Sequence, residues 1–193
     1  MRKNLYLFSI AVLPIMICSG MVYSVLALYF SHLGASADKI GLIYTTGAAA
    51  GAFAAPYLGR LADSRGRKPV IFGAMLLFLA VFLGYAFMRR YTTAFFIQAM
   101  EGVAWAALGA AAPALVADLA SPEERGWAMG IYDRTWFIGW IIGPVFGGFI
   151  AEHLGFRTTF LVASFLLLLG LVFLFFVPEP CRAPNNKEGN KTG

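Results

Sequence analysis

Apolar residues run along this chain in long unbroken blocks, and the charged residues fall almost entirely between them. A helix needs roughly 20 apolar residues to cross a bilayer, and the blocks have about that length. Six are delimited: Leu5 to Phe30, Ile40 to Gly59, Val70 to Met88, Thr92 to Ala117, Trp127 to Ala151 and Thr158 to Val177. The connections between them are short, which predicts that consecutive helices lie antiparallel and side by side. Beyond Val177 the composition changes to Pro, Asn and Lys, so residues 1–177 read as one transmembrane unit and 178–193 as a flexible tail.

Composition supports a membrane protein. Of 193 residues, 60% are hydrophobic and 13% charged, more apolar material than one core with a wetted surface could hide. The net charge of +5 does not imply nucleic acid, because membrane chains gather Lys and Arg on their cytoplasmic side for topological reasons. With the N-terminus inside, that side holds Arg2, Lys3, Arg60, Arg65, Arg67, Lys68, Arg125, Arg182, Lys187 and Lys191. The outside holds Lys39, Arg89, Arg90 and Arg157, so both termini are predicted to be cytoplasmic in a multi-pass protein of the cell membrane. Cys18 lies in an apolar block and Cys181 in the tail, so no disulfide framework is implied. No metal-ligand spacing, nucleophile motif or phosphate-binding loop is present, so neither an enzyme nor a cofactor is predicted. The tail's Asn190-Lys191-Thr192 fits a glycosylation sequon but is placed in the cytoplasm.

Small residues mark helix contacts. Gly47, Gly51, Ala55 and Gly59 recur every four residues in the second block, as do Gly139, Gly143 and Gly147 in the fifth. Each set makes a flat stripe on which another backbone can lie. Pro144 removes a backbone hydrogen bond there and predicts a kinked helix suited to a seam that opens and closes.

Two longer motifs are more specific. Gly59-Arg60-Leu61-Ala62-Asp63-Ser64-Arg65-Gly66-Arg67-Lys68-Pro69 resembles the loop between helices two and three of the major facilitator superfamily, except that Ser64 stands where that family often has Arg. Gly139 to Gly148, with Gly143-Pro144 and Gly147-Gly148, looks like the fifth-helix motif of its antiporters, and Asp118 to Gly130 is similar to its link between helices four and five. The resemblance implies half of a twelve-helix transporter, with a drug and proton antiporter as the nearest type. Such a half moves a small solute by alternating access, with protons as coupling ion and export as direction. It also implies a second six-helix half, supplied by another copy of this chain or by a missing C-terminal half. The alternative is a truncated, non-transporting remnant or a membrane interaction partner. Two positions depart from the pattern: Gln98 stands where the family often has Arg, and Ala27-Leu28-Tyr29 replaces a proline-containing end of the first helix.

The motif residues have physical roles of their own. Asp63 at a helix end can receive backbone N–H groups of a helix N-terminus in the other half, near Gly126 and Trp127 of a second copy. Arg65, Arg67 and Lys68 hold the loop at the surface, with Arg67 reaching Asp118, and Gly59, Gly66 and these charges form a gating latch.

Within the bilayer Glu101 stands out, since an acid there costs about 2.5 to 3.5 kcal/mol and marks function by default. Gln98 and Trp105 lie three residues before and four after it, so the three are expected to project together into a cavity. Glu101 can then carry a proton or pair with a cationic substrate against Trp105. Tyr23 adds a polar contact from the first helix. Asp133 is a weaker candidate, and its neighbour Arg134 either joins a site or snorkels to the headgroups.

Overall fold

The computed structural model describes residues 2–178. The predicted tail, with Cys181, Arg182, Lys187, Lys191 and the sequon at Asn190, lies outside the described residues apart from Pro178. Six long helices follow one another: α1 (Arg2–His32), α2 (Ala37–Arg65), α3 (Arg67–Phe87), α4 (Ala94–Leu119), α5 (Arg125–Leu154) and α6 (Phe156–Phe175). Short 3₁₀ turns at Tyr91–Thr93 and Pro122–Glu124 precede α4 and α5. Among the described residues there is no strand, so the all-α reading holds and every backbone group inside a helix is satisfied locally, as lipid demands.

All but α2 are long and apolar enough to cross a membrane by length and composition. α2 is as long, at 29 residues, but is built from Gly, Ala, Thr and Tyr, with charges in its first and last turns. Those small side chains serve close packing and a cavity wall better than lipid contact.

The packing departs from side-by-side pairing of consecutive helices. α1 lies against α5 and α6, α4 against α2 and α3, and α3 against α6, while α1 and α2 barely touch. The glycine stripes decide this. A Cβ added at Gly143 or Gly147 would collide with the α1 backbone at Ile17 to Met21, and one at Gly51 would stand 2.9 Å from the Gly102 carbonyl oxygen of α4. Gly59 and Gly148, in contrast, meet nothing. The helix that lies on the α5 stripe is therefore α1 of the same chain, with Pro144 Cδ beside Gly20. The sequence pattern alone could not distinguish these partners, because any close-packed backbone needs the same small residues.

The supposed loop of residues 60–69 is mostly helix. α2 continues to Arg65 and α3 begins at Arg67, with Gly66 alone between them at φ 105° and ψ 158°, a left-handed backbone that favours glycine. The opposite end of the bundle is fastened by the Tyr29 hydroxyl, 3.1 Å from both the Tyr85 and Met88 carbonyls, and by Arg157 over the Phe87 ring. Cys18 is buried and directs its thiol to the Ala163 carbonyl at 3.1 Å.

Candidate functional site

α4 carries the site because it is the helix that α2 and α3 enclose. Glu101 lies seven residues after its start, about 10 Å along the axis. Its side chain is fully buried, at 0% exposure. The Tyr85 hydroxyl of α3 stands 2.6 Å from Glu101 Oε2 and 2.6 Å from Gln98 Oε1. Oε1 of Glu101 is buried without a hydrogen-bond partner, although Tyr23 and Trp105 face the same carboxyl group. No ion pair among the described residues involves Glu101.

A cavity of about 480 Å³ opens beside this trio, lined by Tyr23, Tyr44, Gln98 and Trp105 over a floor that includes Gly47, Gly51 and Gly102. The glycines create it, since they let α2 and α4 meet backbone to backbone and leave the rings of Tyr44 and Trp105 to form the walls. The Trp105 indole donates to the Tyr23 hydroxyl at 3.1 Å. Its ring meets Phe78 edge-on at 4.9 Å and Trp136 at 5.3 Å, while Tyr23 packs against Tyr44 and Trp140. Such an array offers π faces to a flat or cationic solute.

The structure thus joins Tyr23, Gln98, Glu101 and Trp105 but corrects their arrangement. Gln98 and Trp105 reach the cavity, whereas Glu101 turns behind them and does not line it. The spacing puts all three on one face, but the hydrogen bond to Tyr85 draws the carboxyl toward α3. Asp133 stands apart, exposed, in a second cavity of about 400 Å³ with Trp136, Phe137 and Trp140. Tyr85 and Tyr44 are missed by the sequence reading. Tyr85, two residues from the end of α3, looks like an interfacial anchor, and the signal that could have found it is a hydroxyl in a helix otherwise built of apolar residues and glycine beyond its first turn.

At the other end, Arg67 pairs with Asp63 four residues before it and with Asp118 of α4 at 3.4 Å, the contact the motif predicts. Lys68 is not a free surface charge. Its ammonium donates to the carbonyls of Phe175 and Val177 at 3.0 and 2.5 Å, closing the C-terminus of α6. Arg65 borders a groove with Leu61 and Pro69. Nearby, Arg2 pairs with Glu124 at 2.7 Å and lies over Trp127, tying the start of α1 to that of α5.

Comparison with known proteins agrees with this architecture. The multi-drug resistance efflux pump PmrA of Streptococcus pneumoniae is 33% identical over 165 residues, covering 83% of this chain and 41% of PmrA. The multidrug resistance protein MdtG of Salmonella paratyphi A is 30% identical over 178 residues, 88% of this chain and 43% of that protein. Citrate exporter 1 of Aspergillus niger is 31% identical over 130 residues, 65% of this chain and 24% of the exporter. The chain spans less than half the length of these relatives. The crystal structure of the human organic anion transporter MFSD10 superimposes with a TM-score of 0.76 over 94% of this chain and 48% of that one, at 19% identity, a likeness of fold. The profile described as Major Facilitator Superfamily matches residues 8–192. With its long apolar helices in place, the chain is a multi-pass membrane protein and belongs to the Major Facilitator Superfamily.

Proposed function

We propose that this chain is one half of a proton-coupled exporter of small, drug-like organic solutes in the cell membrane. The solute occupies the aromatic cavity between this half and a second six-helix unit, either another copy of the chain or a further six helices of parallel topology. Both termini face the cytoplasm, following the excess of Lys and Arg at that end. The observation that carries the reading is Glu101, an acid buried within a membrane helix, with no cation opposite it and a solute-sized cavity alongside. A permanently charged carboxylate in that position is costly, and a carboxyl that exchanges a proton as the cavity opens to one side and then the other turns that cost into coupling. The efflux names of the relatives support the direction.

The latch belongs to the same cycle. Arg67 holds the end of α2 to the end of α4, and Asp63 is offered to the positive N-terminus of a helix in the other half while the cytoplasmic side is shut. Reconstitution into proteoliposomes with an imposed pH gradient tests the proposal, using ethidium and fluorescein as cationic and anionic probes. The chain with its second half should drive at least one probe against its gradient, and Glu101→Gln should abolish the dependence on pH while the bundle still assembles. Proton-driven flux that is unchanged in Glu101→Gln would remove Glu101 from the mechanism.

A further inference from the structure

Glu101 is sealed from the cavity, so a solute in the cavity cannot touch the acid proposed to couple its transport. Something must carry the protonation state across that wall. Tyr85 has one hydroxyl proton, and two oxygens stand 2.6 Å from it. A hydroxyl donates once and accepts otherwise, so the two short contacts are compatible only in two arrangements. When Glu101 is neutral, its Oε2–H donates to Tyr85, and Tyr85 donates to the Gln98 carbonyl. When Glu101 is ionised, Tyr85 donates to the carboxylate, and Gln98 must turn its carboxamide over so that its N–H donates to the tyrosine oxygen.

The far end of the same carboxamide borders the cavity next to Gly47, where an added Cβ would lie 3.1 Å from Gln98 Nε2. We infer that Gln98 is a positioning and specificity-determining residue: through Tyr85 it shows the cavity a hydrogen-bond donor when Glu101 is protonated and an acceptor when Glu101 is ionised. The inference rests on the proposed proton exchange at Glu101. It adds how that exchange is read by the solute: loss of the proton exposes a carbonyl that favours N–H-bearing or cationic solutes, and regain of the proton withdraws it. The proton itself passes to water only when the transport cycle opens the bundle around Glu101, and within the trio only the hydroxyl hydrogen and the carboxamide rotate. The titratable groups facing Glu101 are Tyr23 on α1, Tyr44 on α2 and Tyr85 on α3, all phenols, and no described Lys, Arg or His pairs with it.

The test is infrared difference spectroscopy of the purified full chain in lipid nanodiscs, stepped between acid and alkaline pH, with the side-chain amides of glutamine isotopically labelled. Gln98 is the only glutamine in the sequence, so in the wild-type chain and in every variant but Glu101→Gln the labelled band reports it alone. The expected result is a carboxyl band, absent in both Glu101→Gln and Glu101→Ala, that rises and falls together with a shift of the Gln98 band in the wild-type chain; Glu101→Ala is the cleaner control, because it adds no second glutamine amide. Tyr85→Phe should keep the carboxyl band and lose the Gln98 shift. Should Tyr85→Phe fail to fold, Gln98→Met is the second variant: it should keep the carboxyl band and flatten the pH dependence of ethidium binding. A carboxyl band that titrates with no movement of Gln98 overturns the relay and leaves the proton site standing. A carboxyl spectrum identical in the wild-type chain and Glu101→Ala at every pH overturns both.

Discussion

At the residue scale, the site depends on two kinds of side chain, and only one is announced by its own chemistry. Glu101, Gln98 and Trp105 are legible because polar groups at helical spacing in an apolar segment must share a face. Which way that face turns is not legible, because it is set by Tyr85, a hydroxyl from another helix. The glycines are equally decisive and less conspicuous. A Cβ at Gly102 would overlap the Gly47 carbonyl, and backbone cannot move aside as a flexible side chain does. Gly102→Ala should therefore destabilise the bundle by about 1 to 3 kcal/mol, the usual range for overpacking, as measured by unfolding in detergent. Gly59→Ala, where an added Cβ meets nothing, should leave stability unchanged in the same assay.

At the scale of elements, helix lengths and most boundaries follow from the blocks of apolar residues, because the thickness of a bilayer fixes how long each must be. Partnership does not follow. Short connections suggest neighbours in sequence, yet the close pairs are α1 with α5 and α2 with α4, chosen by where small residues let backbones meet. The charged motif likewise reads as a loop until Gly66 is seen to be its only break. Arg67 is four-fifths covered and joins two acids on two helices, but Asp63 is largely exposed and Asp118 nearly half exposed, so each ion pair is worth about 0.2 to 1 kcal/mol at most. Arg67→Met should accordingly lower stability only slightly while loosening α2 from α4, visible as faster hydrogen exchange in the last turn of each. Lys68→Met should fray the end of α6 instead, by about 0.3 to 1 kcal/mol, since it removes a cation from helix C-terminal carbonyls. Equal exchange in all regions after either change would show that these contacts fasten nothing.

For the whole molecule, the uneven covering of the helices is the informative feature. An apolar stretch of 18 residues in α1 is 67% buried and one in the Pro122–Leu154 segment that holds α5 only 17%, with Phe137, Ile141, Val145 and Phe149 all more than half exposed. Lipid can cover apolar side chains, but the Asp133 cavity on the same helix needs a polar or aqueous neighbour. The proposed second half supplies one. If that half is another copy of this chain, cysteines at positions 63 and 126, in a background lacking Cys18 and Cys181, should crosslink between chains when the cytoplasmic side is shut. Asp63→Asn should slow turnover without changing which solute is chosen. Monomers in every state of a transporting preparation would exclude both the copy and the latch as drawn.

The central claim is that Glu101 gives up a proton in exchange for a solute, and counting that proton tests it most directly. Solute added to the purified protein with its second half, in weakly buffered solution with a pH-sensitive dye, should release protons from the wild-type chain. Glu101→Gln should release none, because the amide keeps the shape and loses the exchangeable proton. Proton release of the same size from both proteins would contradict the account.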